Sequence, residues 1–275
     1  VSGINIVTAA NDRYAGHLAV MLYSLLKNKI SPLPVTIYII DSQISSQNKS
    51  LLNNTVEKFD SKIIYLTINS TIYERFKTFK HISKETYYRI SIPDLLDRDI
   101  EKAIYLDSDL VVVEDITALW NHTIDSFFIG AVKDAGLKRS RNSELFIPKN
   151  SNYFNAGVLI LNLNKWREFN ITNKIINFIK DNSERIVYPI QDPMNAILHD
   201  QWLILDKRWN YQPYLHKRNP QIKPAIIHYC GPKKPWNSWH PLRHYYLEYA
   251  DKVFTPSHFK SLFSGKVLNR LRRGL

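Results

Sequence analysis

Lys102-Ala103-Ile104-Tyr105-Leu106-Asp107-Ser108-Asp109-Leu110-Val111-Val112-Val113 decides how the rest of the chain is read. A run of apolar residues, of the kind that fills a buried strand, is interrupted by two carboxylates two positions apart. In extended backbone successive side chains alternate faces, so Asp107 and Asp109 project to one side and Ser108 to the other. Two carboxylates held together repel each other unless a cation lies between them. Hard oxygen donors of this kind suit Mn²⁺, with Mg²⁺ as a substitute. Asp-x-Asp pairs are common by chance, and the buried-strand setting gives this one its weight.

Upstream of that strand, strand-like and helix-like segments alternate. Ile4 to Ala10 reads as a first strand, and Tyr14 to Lys27 carries Leu18, Met21, Leu22, Leu25 and Leu26 at a helical period. Val35 to Ile40 makes a second strand, followed by a helix capped by Ser45 or Ser46 that runs to about Phe59. Lys62 to Ile68 is a third strand, Thr86 to Leu96 a short helix, and 102–113 the fourth strand. Phe127 to Val132, Tyr153 to Leu163 and Ala225 to Tyr229 supply further strands. The order predicts an α/β fold with a mostly parallel central sheet, whose ligand site lies off the carboxyl ends of the strands.

At 275 residues and 44% hydrophobic content the chain can fill a substantial core. Neither a membrane span nor a signal peptide is visible, and the single cysteine, Cys230, favours a reducing compartment. The net charge of +12 is concentrated near the end. From Lys233 onward basic residues are interleaved with aromatic ones and outnumber the acids Glu248 and Asp251. Nucleic-acid contact, an anionic membrane surface and an ordinary packed subdomain all fit such a segment. The division expected is a body over 1–239 and a helical, basic and aromatic appendage over 240–275.

Five blocks, in order, resemble the metal-dependent retaining glycosyltransferases of the GT-A fold. The nearest type is the bacterial lipopolysaccharide α-galactosyltransferase, with glycogenin more distant. They are Ile6 to Tyr14, Tyr105 to Asp109, Tyr153 to Val158, Gln191 to Asn195, and His228-Tyr229-Cys230-Gly231-Pro232-Lys233-Lys234-Pro235-Trp236. The resemblance implies that Asp107, Asp109 and His228 hold Mn²⁺ against the diphosphate of a UDP-sugar. It places Ala9, Asn11 and Tyr14 at the uridine end, where Asn11 replaces a frequent aspartate and also reads as a helix cap. Arg89 would contact the donor sugar and the diphosphate, Gly231 and Lys234 the diphosphate, and Ser108 the substrate, while Asp134 would contact the sugar and Asn155, Ala156 and Gly157 would line the sugar and acceptor side. Gln191 and Asp192 would be the catalytic pair. Members commonly have Asp-Gln-Asp there, and Ile190 takes the first position, which removes a hydrogen-bonding group from the sugar pocket.

The function expected is Mn²⁺-dependent retaining transfer of galactose or glucose from a UDP-sugar to a saccharide or glycolipid acceptor, by front-side substitution. A UDP-N-acetylhexosamine donor and a non-catalytic sugar-nucleotide binder are the alternatives. A haloacid-dehalogenase-type phosphatase also uses Asp-x-Asp, but after its first strand rather than its fourth. No groove-reading helix or zinc pattern points to nucleic acid. The expected location is cytoplasmic, with the tail against the inner membrane face.

Overall fold

The computed structural model describes residues 3–77, 84–136 and 141–255. Nine strands occur among them. They are β1 (Ile4–Asn11), β2 (Val35–Ser42), β3 (Lys62–Leu66), β4 (Lys102–Leu106), β5 (Leu110–Val112), β6 (Ile129–Lys133), β7 (Phe154–Asn162), β8 (Trp202–Ile204) and β9 (Ile226–His228). Seven of them form one sheet in the order β3-β2-β1-β4-β7-β6-β8, and β5 pairs with β9 in a separate ribbon. β7 runs antiparallel to both β4 and β6, and the remaining pairs of the large sheet are parallel. This is the GT-A arrangement, an α/β fold with a mostly parallel central sheet.

β1 shows why both sheet faces are covered. Ile4 and Ile6 point into one core with Leu18, Leu22 and Leu25 of helix α1 (Asp12–Asn28). Val7 and Ala9 point into the other, with Tyr105, Leu159 and Ile175. Strands buried on both faces read as continuous apolar runs, as they do in this sequence. The chain leaves β1 toward β2 on one side and returns at β4 on the other. The crevice at this switch point opens at Asn11 and Asp107, where ligands of such sheets sit. Because β7 is antiparallel, its first residues, Phe154 to Gly157, reach the same edge.

The expected fourth strand over 102–113 is two strands in two sheets. Asp107, Ser108 and Asp109 form the joint, and β5 turns away to pair with β9 so that Leu110 faces His228. Both halves are buried, so the apolar pattern runs through the break without a mark. The short β8 gave no sequence signal, and the expected helix after Thr86 begins as a 3₁₀ segment, Lys84–Ser91.

A helix over Arg243–Val253 covers α1. Tyr246, Tyr249 and Ala250 pack with Val20, Val111 and Tyr211, and the hydroxyl of Tyr246 lies 2.7 Å from Nδ1 of His17. The first part of the expected appendage is thus seated on the body. The membrane expectation rests on the segment beyond about 240, of which residues 256–275 lie outside the described residues. Among the described residues no helix is long and apolar enough to cross a membrane.

Candidate active site

A cleft of about 890 Å³ runs along the strand-end edge. Its walls include Ala9, Asn11, Tyr14, Arg89, Asp107, Ser108, Asp109, Asp134, Asn155, Ala156, Gly157, Gln191, His228, Gly231 and Lys234. These groups come from seven separate stretches of chain, and the sheet sets their order. β1 ends at one side, then come β4, β7 and β6. At about 4.8 Å between strands, β1 and β6 stand roughly 14 Å apart, a span that suits an extended nucleotide-sugar.

The two aspartates and the histidine converge. Single ligand atoms of Asp107, Asp109 and His228 all lie within 4.8 Å of one another. Each carboxylate spends one oxygen on the protein and turns the other inward. Oδ1 of Asp107 accepts from Nη2 of Arg89 and from the Tyr105 hydroxyl, each at 2.8 Å. Its Oδ2 lies 3.8 Å from Nε2 of His228. Oδ2 of Asp109 is bonded by Nζ of Lys234, and its Oδ1 stands 3.4 Å from the same Nε2.

A chain of hydrogen bonds fixes what His228 presents. The Gly157 N–H donates to Oδ1 of Asn155 at 3.0 Å, so Nδ2 of Asn155 must face Asp134, which accepts at 3.0 Å. The same Oδ1 accepts from Nδ2 of Asn210 at 2.8 Å. That leaves Oδ1 of Asn210, 2.9 Å from Nδ1 of His228, able only to accept. Nδ1 of His228 therefore bears a proton, and Nε2 is the ring atom turned toward two carboxylate oxygens. Two carboxylate oxygens and an imidazole nitrogen turned toward one point are a ligand set suited to a divalent cation. The residues present therefore fit the ion that the sequence implied.

Backbone space makes this possible. A Cβ on Gly157 would stand 2.2 Å from Cε1 of His228 and 2.8 Å from Oδ2 of Asp107, so only glycine fits. Gly231 is required for a different reason, its φ of +86°. Electrostatics keep the groups charged. Burial would raise the Asp109 carboxyl, but the Lys234 ammonium outweighs it and holds Asp109 far below the usual carboxylate range. Burial likewise works against charge on Lys234 and Arg89, and their aspartate partners reverse it and raise both. Arg89 also lies 4.4 Å over the Tyr105 ring.

On the β7 side of the cleft, Gln191 opens the helix Gln191–Leu198. Its Oε1 accepts from the Ala156 N–H at 3.1 Å, and its Nε2 donates to Oδ2 of Asp134 at 3.0 Å. Asn195, one turn on, donates to the Gln191 carbonyl and clamps Phe154 through both its N–H and its carbonyl. At the other end Asn11 caps α1, accepting from the Tyr14 N–H at 3.2 Å.

Asp192 is the expected site residue that the fold does not bring to the cleft. It is fully buried. Its oxygens accept from the Tyr153 hydroxyl at 2.6 Å, from the N–H groups of Val187 and Tyr188 at 2.7 and 2.9 Å, and from the Arg141 guanidinium. Adjacent helical residues point about 100° apart, so Gln191 can face the cleft only if Asp192 faces away. The carboxylate beside Gln191 is Asp134. Asn210, which orients His228, was not foreseen. A single asparagine outside any motif carries no local signal.

Strand order, a crevice at the switch point and a cation-ready triad built on an Asp-x-Asp define a glycosyltransferase of the GT-A fold. The model of Glycosyl transferase family 8 matches residues 5–240, and the chain belongs to that family. It is 41% identical over 265 residues to General stress protein A of Bacillus subtilis, covering 90% of this chain and 92% of that protein. It is 27% identical over 226 residues to lipopolysaccharide 1,3-galactosyltransferase of Salmonella typhimurium, covering 77% and 67% respectively. The crystal structure of the galactosyltransferase LgtC in complex with donor and acceptor sugar analogues matches with a TM-score of 0.85 at 25% identity. That match covers 94% of this chain and 100% of the other.

Proposed function

We propose that this glycosyltransferase moves galactose or glucose from a UDP-sugar to a saccharide of a surface glycan or lipopolysaccharide, with retention of configuration. The observation that carries the reading is the inward convergence of Oδ2 of Asp107, Oδ1 of Asp109 and Nε2 of His228 midway along the cleft. In this reading uridine lies along Ala9, Asn11 and Tyr14, and the hexose lies against Asp134, Asn155, Ala156 and Gln191. Bound by the triad, Mn²⁺ (or Mg²⁺) would supply positive charge to the diphosphate.

Lys234, already charged and buried beside the triad, donates to the departing diphosphate, and Gly231 lets backbone approach it. Arg89 holds Asp107 in its orientation from behind. The sugar carbon's bond to the phosphate oxygen breaks, the acceptor oxygen attacks the same face, and its proton passes to the leaving β-phosphate. A front-side course is favoured because Gln191 is a neutral amide, a poor nucleophile, and Asp192 is sealed away from the cleft. Positive charge on the ring is stabilised by the Gln191 carbonyl and by the Asp134 carboxylate, donors and charges held in place before reaction. Ile190, apolar and lining the cleft next to Gln191, favours one second reading, a UDP-N-acetylhexosamine donor.

We place the enzyme in the cytoplasm, with the basic tail at the inner membrane face and a glycolipid acceptor within reach. The test is a panel of UDP-hexoses and UDP-N-acetylhexosamines with Mn²⁺, scored for UDP release with and without glycan acceptors. Asp107→Asn and Asp109→Asn should each abolish Mn²⁺-dependent release. Near-normal turnover by either variant would remove the metal assignment.

A further inference from the structure

Lys234 reaches the cleft from the loop between β9 and the helix Arg243–Val253, where no sheet or helix holds the backbone. Its Nζ is tied to Asp109 and, at 2.7 Å, to the Tyr229 carbonyl. The Lys234 N–H donates to Oδ1 of Asn237 at 3.0 Å, and its carbonyl accepts from the N–H groups of Asn237 and Ser238. Those bonds close a turn without attaching it to the body. Trp236, in the same turn, supplies an attachment. Its indole stacks on the His17 imidazole, with centroids 3.7 Å apart and planes inclined by 15°. The Tyr14 ring meets the indole edge-on at 6.2 Å. Tyr14 and His17 share one face of α1, one turn apart. The indole therefore rests on a helix that is itself packed against β1.

The stack is backed from the other side. Nδ1 of His17 lies 2.7 Å from the hydroxyl of Tyr246, a buried residue of the helix that covers α1. The Tyr246 ring also contacts the indole, with centroids 5.2 Å apart. Burial keeps the His17 ring neutral, so it stands near Lys234 without adding a repelling charge. Neither His17 nor Trp236 lines the cleft, whereas Lys234 does. Whatever the two rings do for a bound nucleotide, they do through the loop. A lysine on an unanchored loop would lose both backbone and side-chain freedom on binding, and an anchored one loses only the second. Position matters as much as entropy, because a backbone shift of about 1 Å carries Nζ out of hydrogen-bond range of a phosphate oxygen.

We propose that His17 and Trp236, backed by Tyr246, form a clamp that positions Lys234 for the diphosphate of the donor, both acting as positioning residues that do not touch the ligand. This rests on the transferase reading above. The test is calorimetric titration of the full chain in Mn²⁺, with UDP and with uridine. His17→Ala should weaken UDP binding about tenfold, the scale of one hydrogen bond to a charged group, and uridine binding less than twofold. Trp236→Leu removes the same contact from the loop side and should do the same, which keeps the test open should one variant fail to fold. His17→Phe keeps a flat ring under the indole and should restore UDP affinity to within twofold of the wild type. In a Lys234→Ala background, His17→Ala should weaken UDP less than twofold further, because the clamp acts through that side chain. Unchanged UDP affinity with a lowered melting temperature, or an equal loss with and without Lys234, would reduce the rings to a structural role and overturn the clamp. Equal losses of UDP and uridine would also overturn it, by moving the rings' effect to the nucleoside. A wild-type protein that binds no UDP would sink the transferase reading and the clamp together, whereas the other outcomes leave that reading standing.

Discussion

Replacing Gly157 with alanine should disable the triad without removing any of its side chains. The new Cβ would stand 2.2 Å from Cε1 of His228. An ordinary carbon contact is about 3.5 Å, so ring and strand must separate by about 1.3 Å. Neither side yields freely. β7 is tied to Asp107 through a 2.9 Å backbone bond from the Asp107 N–H to the Gly157 carbonyl, and the imidazole is pinned to Asn210 at 2.9 Å. Metal sites tolerate displacements of roughly 0.2 Å, so the ring shift should lower metal affinity by about 10- to 100-fold, as loss of an orienting partner does. Overpacking of this sort costs about 1–3 kcal/mol, which at this chain length lowers the melting temperature by roughly 2–12 °C. Calorimetric titration of UDP with and without Mn²⁺ reads the first effect, and a thermal melt reads the second. A Gly157→Ala protein with wild-type Mn²⁺-dependent UDP binding and an unchanged melt would refute the close packing of strand on triad.

Four further variants test the rest of the site and its surroundings. Asn210→Ala frees the His228 tautomer and should weaken Mn²⁺ dependence of UDP binding by about tenfold or more; an unchanged Mn²⁺ titration would show that the ring needs no such partner. Gln191→Ala should slow transfer with UDP affinity intact, whereas Asp192→Asn breaks a buried ion pair with Arg141 and should cost stability, about 3–5 kcal/mol by urea denaturation. A selective kcat loss in Asp192→Asn at full stability would return that carboxylate to the chemistry. His17, stacked on Trp236 at 3.7 Å, is held neutral by burial, with its pKa lowered to about 3. The unfolded chain binds its proton below about 6.5, so His17 adds stability above that pH and loses it, at up to about 1.4 kcal/mol per pH unit, as pH falls toward 3. His17→Phe should flatten urea midpoint against pH in that window, and an unaltered slope would place the titration elsewhere.

Much of the site was legible because its parts are local. The Asp-x-Asp, the Asn-Ala-Gly entry to β7 and the His228 to Lys234 block each sit within a few residues, and a strand end or tight turn constrains its neighbours directly. Asp192 misled because sequence adjacency to Gln191 says nothing about direction on a helix, where one residue's step rotates the side chain out of the cleft. Asn210 was invisible because its partners, His228 and Asn155, are distant in sequence.

The sequence by itself determined the alternation of strands and helices, the doubly buried sheet and the residue types offered to a ligand, since periodicity and burial act over a single turn or strand. Tertiary structure alone decided that the run from Lys102 to Val113 splits between two sheets, that β7 enters antiparallel, and that three acceptor atoms meet across the gap left by Gly157. Those outcomes depend on which strands lie side by side and on contacts shorter than a side chain. Only closure of the whole sheet settles them.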